Sequence, residues 1–418
     1  MGRKKISGIM IFVIGMVLVF TLKACDFGSD PDQDQDGFTS FIGEVESFEF
    51  ITHDNRPITI YYVLPPQINS ETKVVFTMHG SERSGNGIAH NARTLAILTN
   101  AVVISPEFTR EYFTPNEYEV LNIWRSGVGI TPPSEWTTNI IDDIFLKSVE
   151  RFKLNNTTFI LTGFSAGGML AHIALMYSKS PYMDYVIASS PGWWSFFDES
   201  RYFPQGIRDM MSYKSDLLDR LSNRKLYVLC GENDNALTDE DGTRNWQGRS
   251  RLERAVNYYE SAKNYAQQND VNFNWELLTM PDVAHNSNRA IPYFTNIIGP
   301  VLEPVGTTLS GQERLYGKWY AINNTLYVIS NNTVTIFDNP SRSVISITDI
   351  EPVTNNNSAN ASYSHRTEYP DGYRIRGVYI DAYRTSSSSV GDNFNRIFYI
   401  SSDNTSIMRT TGNTWNRY

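Results

Sequence analysis

Residues 158–169 read TFILTGFSAGGM. A β-branched and apolar approach at 157–161 enters Gly163-Phe164-Ser165-Ala166-Gly167, and the small-residue run Gly168-Met169-Leu170-Ala171 leaves it. This pattern predicts strand, tight turn and helix, in that order. A serine at such a reversal is held in a strained backbone conformation, and flanking glycines let neighbouring backbone approach where a Cβ would clash. Its hydroxyl stands above the sheet edge, near the positive end of a helix. Ser165 is the candidate nucleophile. The other reading of the motif is a glycine-rich helix start that packs closely and catalyses nothing.

Working outward, residues 48–51 and 58–63 are rich in β-branched and aromatic side chains and flank a turn cluster at 53–57, which predicts an antiparallel pair. Residues 73–78 (KVVFTM) form a third strand that runs into His79-Gly80-Ser81, and 101–105 (AVVIS) a fourth, bounded by Pro106. Apolar residues at three- and four-residue spacing from Trp136 to Phe152 predict an amphipathic helix just ahead of the 157–161 strand. Further strands are read at 185–188, at 226–230 and at the alternating Val271, Phe273, Trp275 and Leu277, with a helix over about 251–267 before the last. Strands alternating with helices imply an α/β domain whose mostly parallel sheet is covered on both faces. Ligands of such sheets bind at the carboxyl ends of the strands.

A serine hydroxyl attacks a carbonyl only when a base accepts its proton, and the base needs an acceptor to orient it. Of the six histidines, at 53, 79, 90, 172, 285 and 365, only His285 lies in a loop at a strand's carboxyl end downstream of Ser165, in PDVAHN at 281–286. His172 sits two turns into the helix that Ser165 starts and reads as a packed side chain. His90 reads as the opening of a helix, and His79 as a structural member of its loop. For the acid, the 226–230 strand exits into Gly231-Glu232-Asn233-Asp234, and Asp234 is the choice over Glu232, Asp239 and Asp241. Asp282 is too close to His285 in sequence. The chain order Ser, Asp, His follows. Backbone N–H donors for a developing oxyanion are expected from Ala166 and Ser81, with Gly80 as the second choice in that loop.

These features together resemble α/β-hydrolases of the secreted esterase and polyhydroxybutyrate depolymerase type, which includes feruloyl esterases. The resemblance spans roughly 47–300 and rests on HGS at 79–81, a helix carrying Asp142, Asp143 and Phe145, GFSAGGM at 163–169, GEND at 231–234 and Ala284-His285. It implies a serine carboxylic-ester hydrolase that works through an acyl-enzyme on a small or polymeric ester, with no metal and no organic cofactor. The aromatic stretch PGWWSFF at 191–197 offers Trp193 and Trp194 as walls of a substrate pocket; the alternative is an aromatic loop buried under a helix. A peptidase on the same three residues, or a silent hydrolase scaffold serving as a surface binding protein, are the competing readings.

Arg3, Lys4 and Lys5 precede an uncharged, mostly apolar run at 6–22 that ends in Leu22-Lys23-Ala24-Cys25. This is a signal-peptide layout, and its end resembles a bacterial lipoprotein box with Cys25 as the lipidated residue. An uncleaved signal anchor is the alternative; either way the expected location is the cell envelope, membrane-tethered. The acidic stretch at 26–43 reads as a flexible linker. Its D-x-D-x-D-G start at 32–37 lacks the Glu a calcium loop needs at its twelfth position, which is Gly43. The net charge of −9, without a basic cluster beyond the leader, argues against nucleic acid as a partner. Cys230 and Cys25 are the only cysteines, so lipidation of Cys25 leaves no disulfide. The hydrolase domain is placed at 44–305. From 311 to 418 the composition turns to Asn, Ser, Thr and Tyr with short alternating runs, which predicts an all-β module, a sandwich or a small lipocalin-like barrel, too short for eight full strands. It is expected to bind a polymer, glycan or protein, or to act as a structural cap.

Overall fold

In the strand at residues 73–78, Val74, Phe76 and Met78 join one apolar cluster and Val75 joins another, so the two-residue period of a strand puts apolar side chains on both faces of the sheet. The computed structural model of the protein describes residues 43–299, apart from 66, 71 and 236–243, and the β-strands between 317 and 417. The leader, Cys25 and the acidic linker to residue 42 lie outside the described residues, as do Asp239, Asp241 and His365.

The main sheet has eight strands: β1 (Val45–Ile51), β2 (Pro57–Val63), β3 (Lys73–Met78), β4 (Ala101–Glu107), β5 (Phe159–Phe164), β6 (Met183–Ser189), β7 (Lys225–Gly231) and β8 (Glu276–Met280). Their spatial order is β1-β2-β4-β3-β5-β6-β7-β8. The two pairings made by β2 are antiparallel, and every pairing from β4 to β8 is parallel. Among the described residues eight α-helices accompany it: α1 (Gly85–Asn91), α2 (Arg93–Leu98), α3 (Pro115–Glu119), α4 (Thr138–Arg151), α5 (Ala166–Tyr177), α6 (Lys214–Asn223), α7 (Arg251–Gln268) and α8 (Ser287–Ile298). Apolar side chains of α4 to α7 cover one face of the sheet, and those of α1, α2 and α8 the other. Helix α5 is buried along its whole length, which suits its uncharged sequence AGGMLAHIALMY. No helix among the described residues is long and apolar enough to cross a membrane.

Three local expectations shift. β5 begins at Phe159 and continues to Phe164, so it runs directly into Ser165; pairing with β3 from Val75↔Ile160 to Met78↔Gly163 sets that register. The alternating Val271, Phe273 and Trp275 precede β8 and do not belong to it. Ladder pairing with β7 starts only at Glu276↔Tyr227, and ahead of it Asn274 N–H donates to Leu221 O and Trp275 Nε1 to Arg220 O. Alternation there reflects rings set onto α7, where Phe273 meets Tyr259 and Trp275 meets Tyr258. His90 closes α1 in its last turn and does not open a helix.

In the C-terminal part, eight strands, β9 (Gly317–Tyr320), β10 (Thr325–Ile329), β11 (Thr333–Asp338), β12 (Ser341–Thr354), β13 (Asp371–Tyr383), β14 (Asn393–Ile400), β15 (Ser406–Arg409) and β16 (Thr414–Arg417), close into an antiparallel barrel through pairing of β9 with β16. Eight strands fit in about a hundred residues because three of them are only four residues long. Closure removes the sheet edges that a sandwich would leave.

Candidate active site

Ser165 is the N-cap of α5 and has φ 57° and ψ −117°, a conformation that side chains other than glycine adopt at a cost of about 1–3 kcal/mol. Its N–H donates to Ser189 O at 2.9 Å, which ties the turn to the end of β6. The glycines explain how so tight a reversal is filled. A Cβ on Gly163 would stand 2.1 Å from Gly167 O, one on Gly167 would stand 2.2 Å from Met78 O, and one on Gly168 would stand 2.6 Å from Ser189 O. All three obstacles are backbone, so none can swing aside. Gly167→Ala is therefore expected to destabilise the protein by about 3 kcal/mol or more, read as a lower urea midpoint; an unchanged midpoint contradicts this close approach.

The structure brings Ser165, His285 and Asp234 together. His285 Nε2 lies 3.1 Å from Ser165 Oγ and His285 Nδ1 lies 2.8 Å from Asp234 Oδ2. A carboxylate can only accept, so Nδ1 carries the proton and Nε2 is free to accept from the serine hydroxyl. The loops that carry the acid and the histidine are joined through their backbones. Glu232 N–H donates to Met280 O and Asn233 N–H to Val283 O, while a Cβ on Gly231 would fall 2.1 Å from Val283 O. The His285 ring rests on Phe164, at 4.7 Å between centroids. Of the rival acids, Glu232 accepts from the Thr279 hydroxyl at 2.8 Å, and Asp282 is an exposed turn residue at φ 57°.

Asp234 is 1% exposed, and its second oxygen, Oδ1, is 3.2 Å from Arg251 Nη1 at the start of α7. Burial by itself raises the pKa of such a carboxyl; the hydrogen bond and charge of His285, together with Arg251 and Ser190, outweigh it and hold Asp234 below its ordinary value. Neither Arg251 nor Ser190 is legible as part of the site in the sequence. Arg251 is one of several basic residues at a helix start. Ser190, fully buried at φ 48°, follows β6 without any motif.

Ala166, the first residue of α5, has an N–H without an i−4 helical partner, as the first turn of any helix does. The loop with the second expected donor is rigidly set. His79 is fully buried; its Nε2 accepts from Phe108 N–H at 3.1 Å, so Nδ1 donates to Gly80 O at 3.0 Å. Its ring is stacked on Tyr118 at 4.5 Å, and Tyr118 Oη donates to His79 O at 2.6 Å. Gly80 N–H is occupied by Glu82 Oε1 at 3.2 Å, which removes Gly80 from the expected donors in this structure. Ser81 is exposed, and its carbonyl accepts from Arg110 Nη2 at 2.7 Å.

The pocket expected from Trp193 and Trp194 is corrected. Trp194 is 0% exposed and stacked on Tyr258 of α7 at 4.5 Å, with its backbone N–H and carbonyl both held by Gln247. Trp193 is buried as well. The aromatic loop makes core with α7, because rings of this size lose more apolar burial in an open wall than under a helix. His172 anchors that loop: Nδ1 donates to Gly168 O and Nε2 accepts from Ser195 N–H, both at 3.0 Å.

Burial pushes both His79 and His172 down to about 3. The unfolded chain protonates histidine near pH 6.5, so the stability these two contribute is complete above that pH and is lost as the pH falls towards 3. Asp142 has the opposite sign: burial pushes its carboxyl up to about 6, so acid relieves a cost, and Glu119 is raised by burial in the same sense. At pH 5.5 the histidines together lose roughly 3 kcal/mol, and the partly exposed Asp142 returns about 1 kcal/mol at most, with Glu119 acting in the same direction. A urea midpoint at pH 5.5 below that at pH 8 is expected, by an amount equivalent to roughly 1–2 kcal/mol; a midpoint that does not fall contradicts the neutral, buried histidines.

No group of His, Cys, Asp and Glu with metal-binding arrangement occurs among the described residues, and Cys230 is a free, buried thiol beside Ser190.

No family model and no curated protein sequence matches the chain. Among solved structures it is similar to poly(aspartic acid) hydrolase-1 from Sphingomonas sp. KT-1, with 24% identity and a TM-score of 0.56 over 61% of this chain and 98% of that one. It is similar also to LpqC, a poly(3-hydroxybutyrate) depolymerase from Bordetella parapertussis, with 21% identity and a TM-score of 0.57 over 61% of this chain and 89% of that one. With the strand order and the strand-turn-helix at Ser165, these likenesses show the α/β-hydrolase fold.

Proposed function

We propose that the chain is an exported serine hydrolase that cleaves carboxylic esters through an acyl-enzyme. The observation that carries this reading is the unbroken line from Asp234 Oδ2 through His285 to Ser165 Oγ, at 2.8 and 3.1 Å, with the serine on a strained turn at the carboxyl end of the central strands. Ser165 Oγ attacks the ester carbonyl as its proton passes to His285 Nε2. Asp234 keeps Nδ1 protonated and stabilises the imidazolium. The Ala166 and Ser81 N–H groups receive the negative charge that develops on the carbonyl oxygen. Collapse of the tetrahedral adduct expels the alcohol, which takes the proton from His285. Water then attacks the acyl carbonyl as it gives a proton to His285 Nε2, and His285 returns that proton to Ser165 Oγ as the Oγ–C bond breaks and the acid leaves.

The basic and apolar leader ending at Cys25 supports export and lipid anchoring in the cell envelope; Cys25→Ser should then leave the protein with an uncleaved leader, and normal processing of that variant would overturn the anchor. The C-terminal module, in this reading, holds the hydrolase on a polymer, glycan or protein, which a co-sedimentation assay with insoluble polyester or cell-wall glycan would reveal or deny. The test of the activity is a panel of p-nitrophenyl and feruloyl esters beside peptide substrates. The neighbour named for poly(aspartic acid) is a reason to include amides, since the same groups serve an amide carbonyl. Turnover of esters supports the reading; turnover of amides alone makes the protein a peptidase, and turnover of neither makes the scaffold silent.

A further inference from the structure

Arg110 lies on the loop after β4, exposed, with its Nη2 donating to the neutral carbonyl of Ser81. It makes no ion pair with a carboxylate among the described residues, in a chain where acidic side chains outnumber basic ones by 45 to 36. Behind it stands Arg83, buried at φ 60° with its guanidinium over the Tyr118 ring at 4.3 Å. Arg83 Nη1 donates to Phe108 O, while its Nε and Nη2 have no hydrogen-bond partner. Two guanidinium groups thus hold neutral carbonyls beside the loop whose Ser81 N–H is assigned to the oxyanion. That loop touches the nucleophile turn, since the position of a Cβ on Gly167 is within 2.8 Å of His79 O. One partly buried carboxylate, Glu119, faces Arg83, Arg110 and Arg244 together, so three guanidinium groups share a single acid there; burial raises its pKa and the three arginines act against that rise. The acids close by are limited in reach: Glu82 is engaged with Gly80 N–H, and Glu111 makes no ion pair with Arg110. Loops after β3, β4 and β7 all open on the carboxyl ends of the strands, the face that presents Ser165.

We propose that Arg110 anchors an anion subsite beside Ser165, so that preferred substrates carry a carboxylate on the acyl group, a few bonds from the scissile carbonyl. This rests on the ester-hydrolase reading and deepens it to a substrate class. An exposed guanidinium whose hydrogen-bonding partner is neutral keeps its charge and its other N–H donors for a substrate, and a planar fork suits a carboxylate.

The probes are the mono-p-nitrophenyl esters of succinic, glutaric and adipic acid, each compared with the neutral butyrate, valerate or hexanoate ester of equal chain length. The readout is the ratio of kcat/KM for the charged over the neutral ester, at low salt and in 0.5 M NaCl. The charged member of at least one pair is expected to be favoured by about tenfold at low salt, with the ratio falling at high salt. Arg110→Gln keeps a donor for Ser81 O and removes the charge; it should bring the ratio to about one, whereas Arg110→Lys retains most of it. A variant that merely disturbed the Ser81 loop would lower both esters together and leave the ratio in place, and that result overturns the proposal. So does a ratio near one in the unmodified protein that hydrolyses the neutral esters. Hydrolysis of neither ester refutes the ester-hydrolase reading itself, and the subsite with it.

Discussion

Ser165→Ala is expected to lower kcat/KM for an ester by about 10⁴ to 10⁶ while leaving the fold intact. The magnitude follows from what the serine does: without Oγ there is no acyl-enzyme, and only binding and oxyanion stabilisation remain. The fold should survive because the turn is fixed by backbone, through Ser165 N–H to Ser189 O and the three glycines, and not by the hydroxyl. The companion variant Ser165→Gly separates chemistry from strain. At φ 57° glycine suffers none of the Cβ cost, so this variant should be equally inactive yet more stable by about 1 kcal/mol, seen as a higher urea midpoint. Residual activity above about one part in 10³ in either variant would take the nucleophile's role from Ser165.

Asp234→Asn is expected to lower turnover by about 10⁴, and Arg251 gives the reason a direction. Arg251 Nη1 is a donor and faces Oδ1 at 3.2 Å, so in the variant the amide oxygen must turn to it. The amide NH₂ then faces His285 Nδ1, which has to accept. That places the imidazole proton on Nε2, where the base must be free to take the serine proton. In an Arg251→Gln background the amide can rotate so that its oxygen accepts from Nδ1–H, and the loss caused by Asp234→Asn should shrink. Measuring the two single variants and the double variant therefore tests a coupling, not just a sensitivity. Additive losses would show that Arg251 does not govern the tautomer.

The parts of the molecule that could be read from sequence are those set by local pattern. The strand and helix around Ser165, the strand before Gly231 and the helix over 251–267 each carry their own periodicity, and loops at strand ends limit where a base and an acid can come from. The parts that could not be read depend on partners distant in the chain. Val271 to Trp275 alternates like a strand, but whether it joins the ladder depends on where β7 begins, and Lys225 lies only after α6. Trp194 looks like a pocket wall until Tyr258 of α7 covers it. Arg251 and Arg110 are ordinary surface-type residues in sequence; each gains a role only when folding sets it against Asp234 or the Ser81 carbonyl. Closure of the C-terminal barrel by β9 and β16 joins strands nearly a hundred residues apart, which no window of local alternation can signal.

The most direct test of the acyl-enzyme account is covalent labelling of the intact protein with a serine-directed fluorophosphonate, located by peptide mass. One adduct per chain is expected, on Ser165, absent from Ser165→Ala and formed far more slowly in Asp234→Asn. An unlabelled protein, or an adduct on any other serine, would contradict it.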